Sequence, residues 1–295
     1  MKRPILLAAL AAFAATTLAA APGADRRQAR LEQREAPGAG EHAYGPDRLQ
    51  RLDYWAGKGR KAPLVVFVHG GGWKRGDKRM MAGSAKLAHW QAQGYAVASV
   101  NYRLVPDATV EQQAADVATA LAWLSDNADA LGFDGGRIVL VGHSAGAHLA
   151  ALVGTDPQWL RSVGMDMDDI AGVIPLDGAG YDVPAQMGEN PRLMGDTYQQ
   201  AFGTEPVRQR ALSPTYHAAA PNAPAFLILH VQRADAASQS RALGEALRKA
   251  STPATVQGFA GRGLRGHREI NQRLGEADYP ATAVVDAWLK ARFGG

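Results

Sequence analysis

Short apolar runs alternate with longer amphipathic stretches from about Tyr44 to the end of the chain. The runs have the length of strands, and most are continuous and rich in Val and Ile, which is typical of parallel strands buried on both faces. They are Leu64–Val68, Ala96–Val100, Ile138–Val141, Gly172–Leu176, Ala225–Leu229 and a last short run, Ala254–Phe259. The stretches between them predict helices at Ala82–Gln93, Thr109–Leu131, Ala145–Gly154, Ser238–Ala250 and Tyr279–Arg292. Strand alternating with helix predicts an α/β fold, a mostly parallel sheet with helices on both faces.

The segment Tyr181–Pro224 breaks this alternation. It contains six prolines and four aromatic side chains, and it is too long to be a simple connection. We expect an irregular excursion with a short helix that forms a small lid or side wall over the functional site. A segment that only packs on the domain is the alternative.

The first residues have the layout of a secretory signal peptide. Met1-Lys2-Arg3 is positively charged, an apolar run reaches about Leu18, and small residues follow at 19–21. We therefore expect residues 1–21 to be a signal peptide, residues 22–43 a flexible leader, and residues 44–295 one catalytic domain. This predicts export to the periplasm or the medium, with no stable membrane insertion after cleavage. An uncleaved N-terminal anchor is the alternative.

Composition narrows the classes of function. The 295 residues, 46% of them hydrophobic, suit one large core. The absence of cysteine excludes thiol catalysis and thiolate metal sites. The net charge of +4 is spread along the chain without a basic stripe, which argues against nucleic acid as a partner. The histidines lack metal-ligand spacing, so we expect no metal and no cofactor.

Gly142-His143-Ser144-Ala145-Gly146 lies between a predicted buried strand and a predicted helix. A G-x-S-x-G sequence in this context forms a sharp turn that exposes the serine hydroxyl beside a helix N-terminus. Ser144 is therefore the candidate nucleophile.

A glycine run, His69-Gly70-Gly71-Gly72-Trp73, follows the first long apolar run. Backbone N–H groups without covering side chains can hold the oxyanion of an acyl-transfer intermediate. The candidate oxyanion donors are Gly71, Gly72 and Ala145.

A serine nucleophile needs a general base and an acid that orients it. In α/β proteins whose nucleophile lies in a G-x-S-x-G turn, the chain order is serine, acid, histidine. His267, in a glycine-rich loop before the last helix, is the candidate base. Asp235, after the run that ends at Leu229, is the candidate acid. Asp177, which follows Leu176 one strand earlier, is the rival acid.

From Tyr44 onward the chain resembles the α/β-hydrolase esterases, and in particular the small carboxylesterase or bifunctional feruloyl/acetyl-xylan-esterase-like group. It also shares features with hormone-sensitive-lipase-like esterases and kynurenine formamidases. The motifs that carry this resemblance are Tyr44-Gly45, Leu52-Asp53-Tyr54, His69–Trp73, Asn101–Leu104, Ala201-Phe202-Gly203, Ser213-Pro214 and Gly266-His267. The resemblance implies an α/β-hydrolase fold and the roles of nucleophile, acid and base for Ser144, Asp235 and His267.

The sequence thus predicts a serine-dependent carboxylic-ester hydrolase that acts through an acyl-enzyme on small short-chain or aryl esters. Trp73, Tyr102 and Tyr181 are candidates for lining its substrate pocket. An arylformamidase is the first alternative, suggested by the shared glycine loop. A peptidase or lipase on the same scaffold is the second, and a non-catalytic binding module is the third.

Overall fold

The computed structural model describes residues 40–189, 195–219 and 221–294. The predicted signal peptide and residues 22–39 of the predicted leader lie outside these ranges. Within them, eight strands form one sheet in the order β1-β2-β4-β3-β5-β6-β7-β8. The strands are β1 (Gly40–Ala43), β2 (Arg51–Trp55), β3 (Ala62–Val68), β4 (Ala96–Val100), β5 (Phe133–His143), β6 (Gly172–Leu176), β7 (Phe226–Gln232) and β8 (Ala254–Arg262).

The sheet is parallel from β4 to β8, as predicted, and β1 and β2 are antiparallel additions at one edge. The sequence did not indicate β1, which lies inside the segment assigned to the leader. Its four residues, Gly-Glu-His-Ala, alternate half-buried and exposed positions and contain no apolar run. Pairing with β2 holds this strand in place, so the folded domain begins before Tyr44.

The described helices pack on both faces of the sheet. They are α1 (Ala85–Ala92), α2 (Val110–Asp126), α3 (Ala128–Leu131), α4 (Ala145–Thr155), α5 (Gln158–Arg161), α6 (Val183–Glu189), α7 (Gly195–Phe202), α8 (Pro206–Ala211), α9 (Pro214–His217), α10 (Ala234–Lys249), α11 (Gly263–Arg273) and α12 (Pro280–Phe293). Residues on alternate sides of β3 enter two separate cores: Leu64 and Val66 pack with α2, α4 and α10, whereas Val65 and Phe67 pack with α1, α11 and α12. Two-sided burial is the reason that these strands read as continuous apolar runs.

One predicted helix is split in two. Thr109 caps α2 as expected, with a capping box formed with Gln112. The helix stops at Asn127, whose backbone leaves the helical region and whose side chain bonds to the carbonyl oxygen of Trp123. A short second helix, α3, then ends at Gly132 in the left-handed conformation.

The excursion predicted after Tyr181 contains the short helices α6 to α9. Most of its large side chains are buried against α4 and α2, among them Tyr181 and Phe202, so much of it is part of the core. One helix, α7, also brings Tyr198 to the edge of the sheet where the candidate site lies. The segment is therefore a packed side wall rather than a free lid.

The edge formed by β1 and β2 holds a charge cluster around the buried side chain of Lys78. The ammonium group of Lys78, which lies in a short 3₁₀ turn, contacts the carboxylates of Asp53 on β2 and Glu41 on β1, the latter at 2.7 Å. Burial raises the pKa of Asp53, an effect that the hydrogen bond and charge of Lys78 oppose. The cluster links the edge strand to the body of the domain.

Candidate active site

The turn between β5 and α4 has the geometry that the G-x-S-x-G pattern predicts. Ser144 has φ 58° and ψ −119°, a conformation that costs energy in a non-glycine residue and is found mostly at functional sites. The flanking glycines are required by close approach: a Cβ at Gly142 would lie 2.1 Å from the oxygen of Gly146, and a Cβ at Gly146 would lie 2.2 Å from the oxygen of Val68. The turn is therefore packed directly on the end of β3.

His267 contacts the hydroxyl of Ser144. Its Nε2 lies 3.0 Å from Ser144 Oγ. The sequence placed His267 in a flexible glycine-rich loop, but the structure places it in the second turn of helix α11. The base candidate is thus carried by a regular element.

The carboxylate beside His267 belongs to Asp177. Oδ2 of Asp177 lies 2.6 Å from Nδ1 of His267, and Oδ1 accepts a bond from the N–H of Val231 at 2.9 Å. The partners assign the tautomer: Nδ1–H donates to the carboxylate, and Nε2 accepts from the serine hydroxyl. The structure therefore contains a continuous hydrogen-bonded chain from Ser144 through His267 to Asp177.

Asp177 is fully buried at the carboxyl end of β6. Burial alone would raise the pKa of its carboxyl, but the hydrogen bond to His267, the guanidinium of Arg233 3.6 Å away and the N–H of Val231 outweigh it. The pKa of Asp177 is consequently held below its ordinary value, and the group is a carboxylate at neutral pH.

The choice of Asp235 as the acid is corrected by this geometry. The sequence began the next helix at Ser238, which left Asp235 in the preceding loop, whereas α10 begins at Ala234 and takes Asp235 into its first turn. There its carboxylate lies 3.5 Å from Nη2 of Arg233. The bond to His267 Nδ1 is made by the rival, Asp177.

Sheet register explains why β6 supplies this carboxylate. β6 is the immediate neighbour of β5, and the ladder pairs His143 with Leu176. The next residues, Ser144 and Asp177, leave the two strands at the same level, and the N–H of Ser144 bonds to the oxygen of Leu176 at 3.1 Å. β7 lies one strand further away. The signal in the sequence was an aspartate directly after a buried apolar run.

The glycine loop after β3 lies against the turn that carries Ser144. A Cβ at Gly70 would come within 2.9 Å of the Ser144 Cβ. Gly72 lines the cavity at the serine. Among the described residues, no backbone carbonyl accepts a bond from the N–H of Gly71, Gly72 or Ala145. None of the three N–H groups is thus used by the backbone of the described ranges, and Gly72 is the one of these residues that lines the cavity.

A cavity of about 340 Å³ opens at Ser144 and His267. Its remaining walls are Gly72, Trp73, Ala179, Tyr198, Gln232, Arg233, Ala234, Asp235, Gly263 and Leu264. Of the three predicted pocket aromatics, Trp73 lines the cavity. Tyr102 and Tyr181 do not.

Both excluded tyrosines are fully buried in the core. The hydroxyl of Tyr102 donates to the carbonyl oxygen of His69 at 2.9 Å, and its ring stacks on the His69 ring. Tyr102 therefore supports the glycine loop from behind. Tyr181 packs under the β6 turn, where a Cβ at Gly178 would meet its hydroxyl at 2.2 Å.

Sequence reasoning missed several residues of the cavity wall. Among them, Leu264 comes from the start of α11, and Arg233 from the junction of β7 and α10. Proximity to a predicted catalytic residue was the available signal for both. Tyr198, from α7, is one of the four aromatic side chains of the excursion that the sequence predicts to lie over the site.

Two buried histidines flank the site and remain uncharged at neutral pH. Burial lowers the pKa of His148 to about 4, and its ring bonds to the Trp73 indole and the oxygen of Leu212. Burial and the neighbouring His267 lower the pKa of His143 to about 3.

Over residues 40–189, 195–219 and 221–294, no cluster of three or more His, Asp or Glu side chains could hold a metal ion. In the same ranges, no helix has the length and apolar character that a membrane span requires.

The sheet topology, the strained serine turn and the hydrogen-bonded Ser144–His267–Asp177 chain define a protein with the α/β-hydrolase fold. Solved structures with the same fold superpose on this chain. The crystal structure of esterase B from Lactobacillus Rhamnosis (HN001) superposes with a TM-score of 0.71 at 22% identity, covering 92% of this chain and 90% of that one. A thermophilic esterase from Thermogutta terrifontis, Est2, superposes with a TM-score of 0.66 at 23% identity, covering 86% and 92%.

The BD-FAE family model matches residues 52–247, and the chain belongs to the BD-FAE family. Curated relatives include esterase LipC of Mycobacterium tuberculosis, 34% identical over 70% of this chain and 54% of LipC. Esterase LipQ of the same organism is 32% identical over 72% of this chain and 53% of LipQ. The chain thus aligns with about half the length of these relatives. The predicted resemblance to α/β-hydrolase esterases is confirmed.

Proposed function

We propose that the protein is a carboxylic-ester hydrolase in which Ser144 is the nucleophile, His267 the general base and Asp177 the acid. The observation that carries this proposal is the hydrogen-bonded chain of these three side chains at the wall of a cavity. The similarity to LipC and LipQ, both named esterases, supports ester hydrolysis.

In the proposed reaction, Ser144 Oγ forms a bond to the acyl carbon while its proton passes to His267 Nε2. Asp177 holds the Nδ1–H tautomer and stabilises the imidazolium that forms. The free N–H groups of Gly71, Gly72 and Ala145 bind the oxyanion. The ester C–O bond then breaks, and the alcohol leaves with the proton from His267. Water next gives a proton to His267 Nε2 and attacks the acyl carbon. Cleavage of the bond to Oγ releases the acid, and His267 returns the proton to Ser144 Oγ.

The cavity favours small substrates. Its volume of about 340 Å³ lies near the lower end for ligand pockets. Trp73, Tyr198 and Leu264 give it apolar walls, while Arg233 and Asp235 give it one polar wall. We therefore propose short-chain or aryl esters as substrates.

The test compares the purified protein with Ser144→Ala on p-nitrophenyl acetate, butyrate and octanoate, a feruloyl ester and N-formylkynurenine. We expect turnover of the short esters and a loss of about 10⁴-fold or more in Ser144→Ala. A fluorophosphonate probe should label the wild-type chain at Ser144. Full activity in Ser144→Ala contradicts the mechanism, and turnover of N-formylkynurenine alone favours an arylformamidase.

We also propose that the protein is exported, on the support of the residue pattern at positions 1–21. The N-terminal sequence of the mature protein and its distribution between cell fractions test this. A chain that retains Met1 in the cytoplasm contradicts it.

A further inference from the structure

The ring of His143 is buried between the serine turn and the helix that carries His267. Its Nε2 lies 2.9 Å from the main-chain oxygen of His267. Because a carbonyl oxygen only accepts hydrogen bonds, Nε2 of His143 carries the hydrogen. The two rings also face each other, with centroids 4.5 Å apart and planes inclined by 31°. His143 thus holds both the backbone and the ring of His267.

The N–H of His143 remains a donor over the pH range in which an esterase works. Since the pKa of His143 is lowered to about 3, its ring stays neutral and keeps one N–H. A charged ring at this distance would oppose the imidazolium that forms on His267. His143 can therefore support the base without competing with it for the proton.

A second buried donor holds the other end of the same helix. Nζ of Lys86, on α1, donates to the main-chain oxygen of Asn271. That oxygen is among the last four carbonyls of α11, which have no partner within the helix. Burial lowers the pKa of Lys86 to about 8, so its placement beneath the helix costs free energy.

Helix α11 needs such contacts because it buries little of its own surface. Of its eleven residues only Gly266 and Ile270 are buried, and three of the others are arginines. Apolar packing alone is thus a weak constraint on the position of His267.

We propose that His143 and Lys86 are positioning residues that fix helix α11, and with it His267, against the nucleophile turn. His143 directly precedes Ser144, so the hydrogen bond from His143 ties the helix of the base to the residue next to the nucleophile. The inference rests on the proposed ester hydrolysis, because it assigns a role in that reaction.

The test uses a pair of variants at each position. His143→Leu removes the donor, whereas His143→Gln keeps an N–H near the place of Nε2. We expect kcat to fall about 10–100-fold in His143→Leu, with KM within about twofold, and to stay within about threefold of wild type in His143→Gln. Lys86→Met should lower kcat about 3–10-fold, with Lys86→Arg closer to wild type and the exposed Lys249→Met as control.

A readout independent of turnover is the low-field proton resonance of the His267 Nδ1–H bonded to Asp177. We expect it to be sharp in wild type and His143→Gln and to be lost by exchange in His143→Leu. Equal kcat in wild type and His143→Leu, or equal loss in the Leu and Gln variants, overturns the inference. If His143→Leu does not fold, the Gln variant and the Lys86 pair decide the question. A wild-type protein that hydrolyses no ester contradicts the proposed function, and the resonance still tests the inference.

Discussion

An aspartate follows each of the strands β6 and β7 beside the candidate site, and the two differ in burial and in hydrogen-bond partners. Asp177 is fully buried and accepts bonds from His267 and from the N–H of Val231. Asp235 sits in the first turn of α10, with 18% of its side chain exposed, and contacts the guanidinium of Arg233. The same guanidinium approaches both carboxylates.

The comparison indicates which carboxylate can orient a histidine. It is the one that is buried and accepts hydrogen bonds from several donors, and closeness to the site is not sufficient. A buried carboxylate keeps its charge only when several groups satisfy it. Asp177 has such groups in Val231 on β7, Arg233 directly after β7 and His267 on α11. Asp235 faces the cavity, where substrate would meet it.

Exchanging each aspartate for asparagine gives the largest expected effect. Asp177→Asn should lower kcat by about 10³–10⁴-fold, because the amide no longer holds the tautomer or stabilises the imidazolium. Asp235→Asn is the matched comparison: kcat should stay within about threefold of wild type because Asp235 lies outside the hydrogen-bonded chain, while KM is free to change because Asp235 lines the cavity. Steady-state hydrolysis of p-nitrophenyl acetate measures both. The reverse ranking would return the acid role to Asp235.

A second test disturbs the β6 turn itself. A Cβ at Gly178 would lie 2.2 Å from the Tyr181 hydroxyl and 2.9 Å from the Cβ of Ala147. Gly178→Ala should therefore lower the free energy of unfolding by about 1–3 kcal/mol. Gly188→Ala is the control, since nothing lies within 4 Å of its Cβ position. Denaturant unfolding that finds the two variants equal would show that the turn can relax.

Arg233→Met removes the guanidinium group that lies near both Asp177 and Asp235. Its guanidinium lies 3.6 Å from Asp177 and 3.5 Å from Asp235, distances that indicate weak contacts. We expect kcat to fall less than about tenfold, because the bonds from His267 and Val231 remain. Combining Arg233→Met with Asp235→Asn should add no further loss. A larger loss in the double variant would give Asp235 its own part in catalysis.

The smallest effect concerns acid stability. Because the pKa of Asp177 is lower in the folded chain than its ordinary value of about 3.9, ionised Asp177 stabilises the fold above that pH, and this contribution is lost as pH falls through the folded pKa. The difference in unfolding free energy between wild type and Asp177→Asn should be constant from about pH 5 to 7 and shrink below about pH 4. A difference that does not change with pH contradicts the low pKa.

Much of the fold could be predicted because its signals are local. Continuous Val and Ile runs marked β3 to β7, and β6 was predicted with the observed bounds, Gly172–Leu176, although β5 begins five residues before the predicted Ile138. Ser144 was found from its flanking glycines, which the close approach to β3 requires. In each case the signal itself is a short run of adjacent residues, even where its physical cause is a distant contact.

The carboxylate partner of His267 could not be chosen in this way, because the choice depends on strand order. Asp177 and His267 are 90 positions apart, and the adjacency of β5 and β6 brings Asp177 beside the turn that carries Ser144. Tyr102 and Tyr181 failed as pocket candidates for a related reason. An aromatic side chain next to a motif has the same sequence signature whether it faces a cavity or the core.

The edge strand β1 also has a practical consequence. A recombinant chain trimmed to begin at Tyr44 would discard Glu41 and leave the buried ammonium of Lys78 with Asp53 as its remaining carboxylate partner. It would also uncover the outer row of N–H and C=O groups on β2, a template for strand pairing between molecules. We expect such a truncated protein to self-associate through the exposed edge of β2 and to give a poor yield. An expression boundary before Gly40 keeps β1 and so keeps this edge paired.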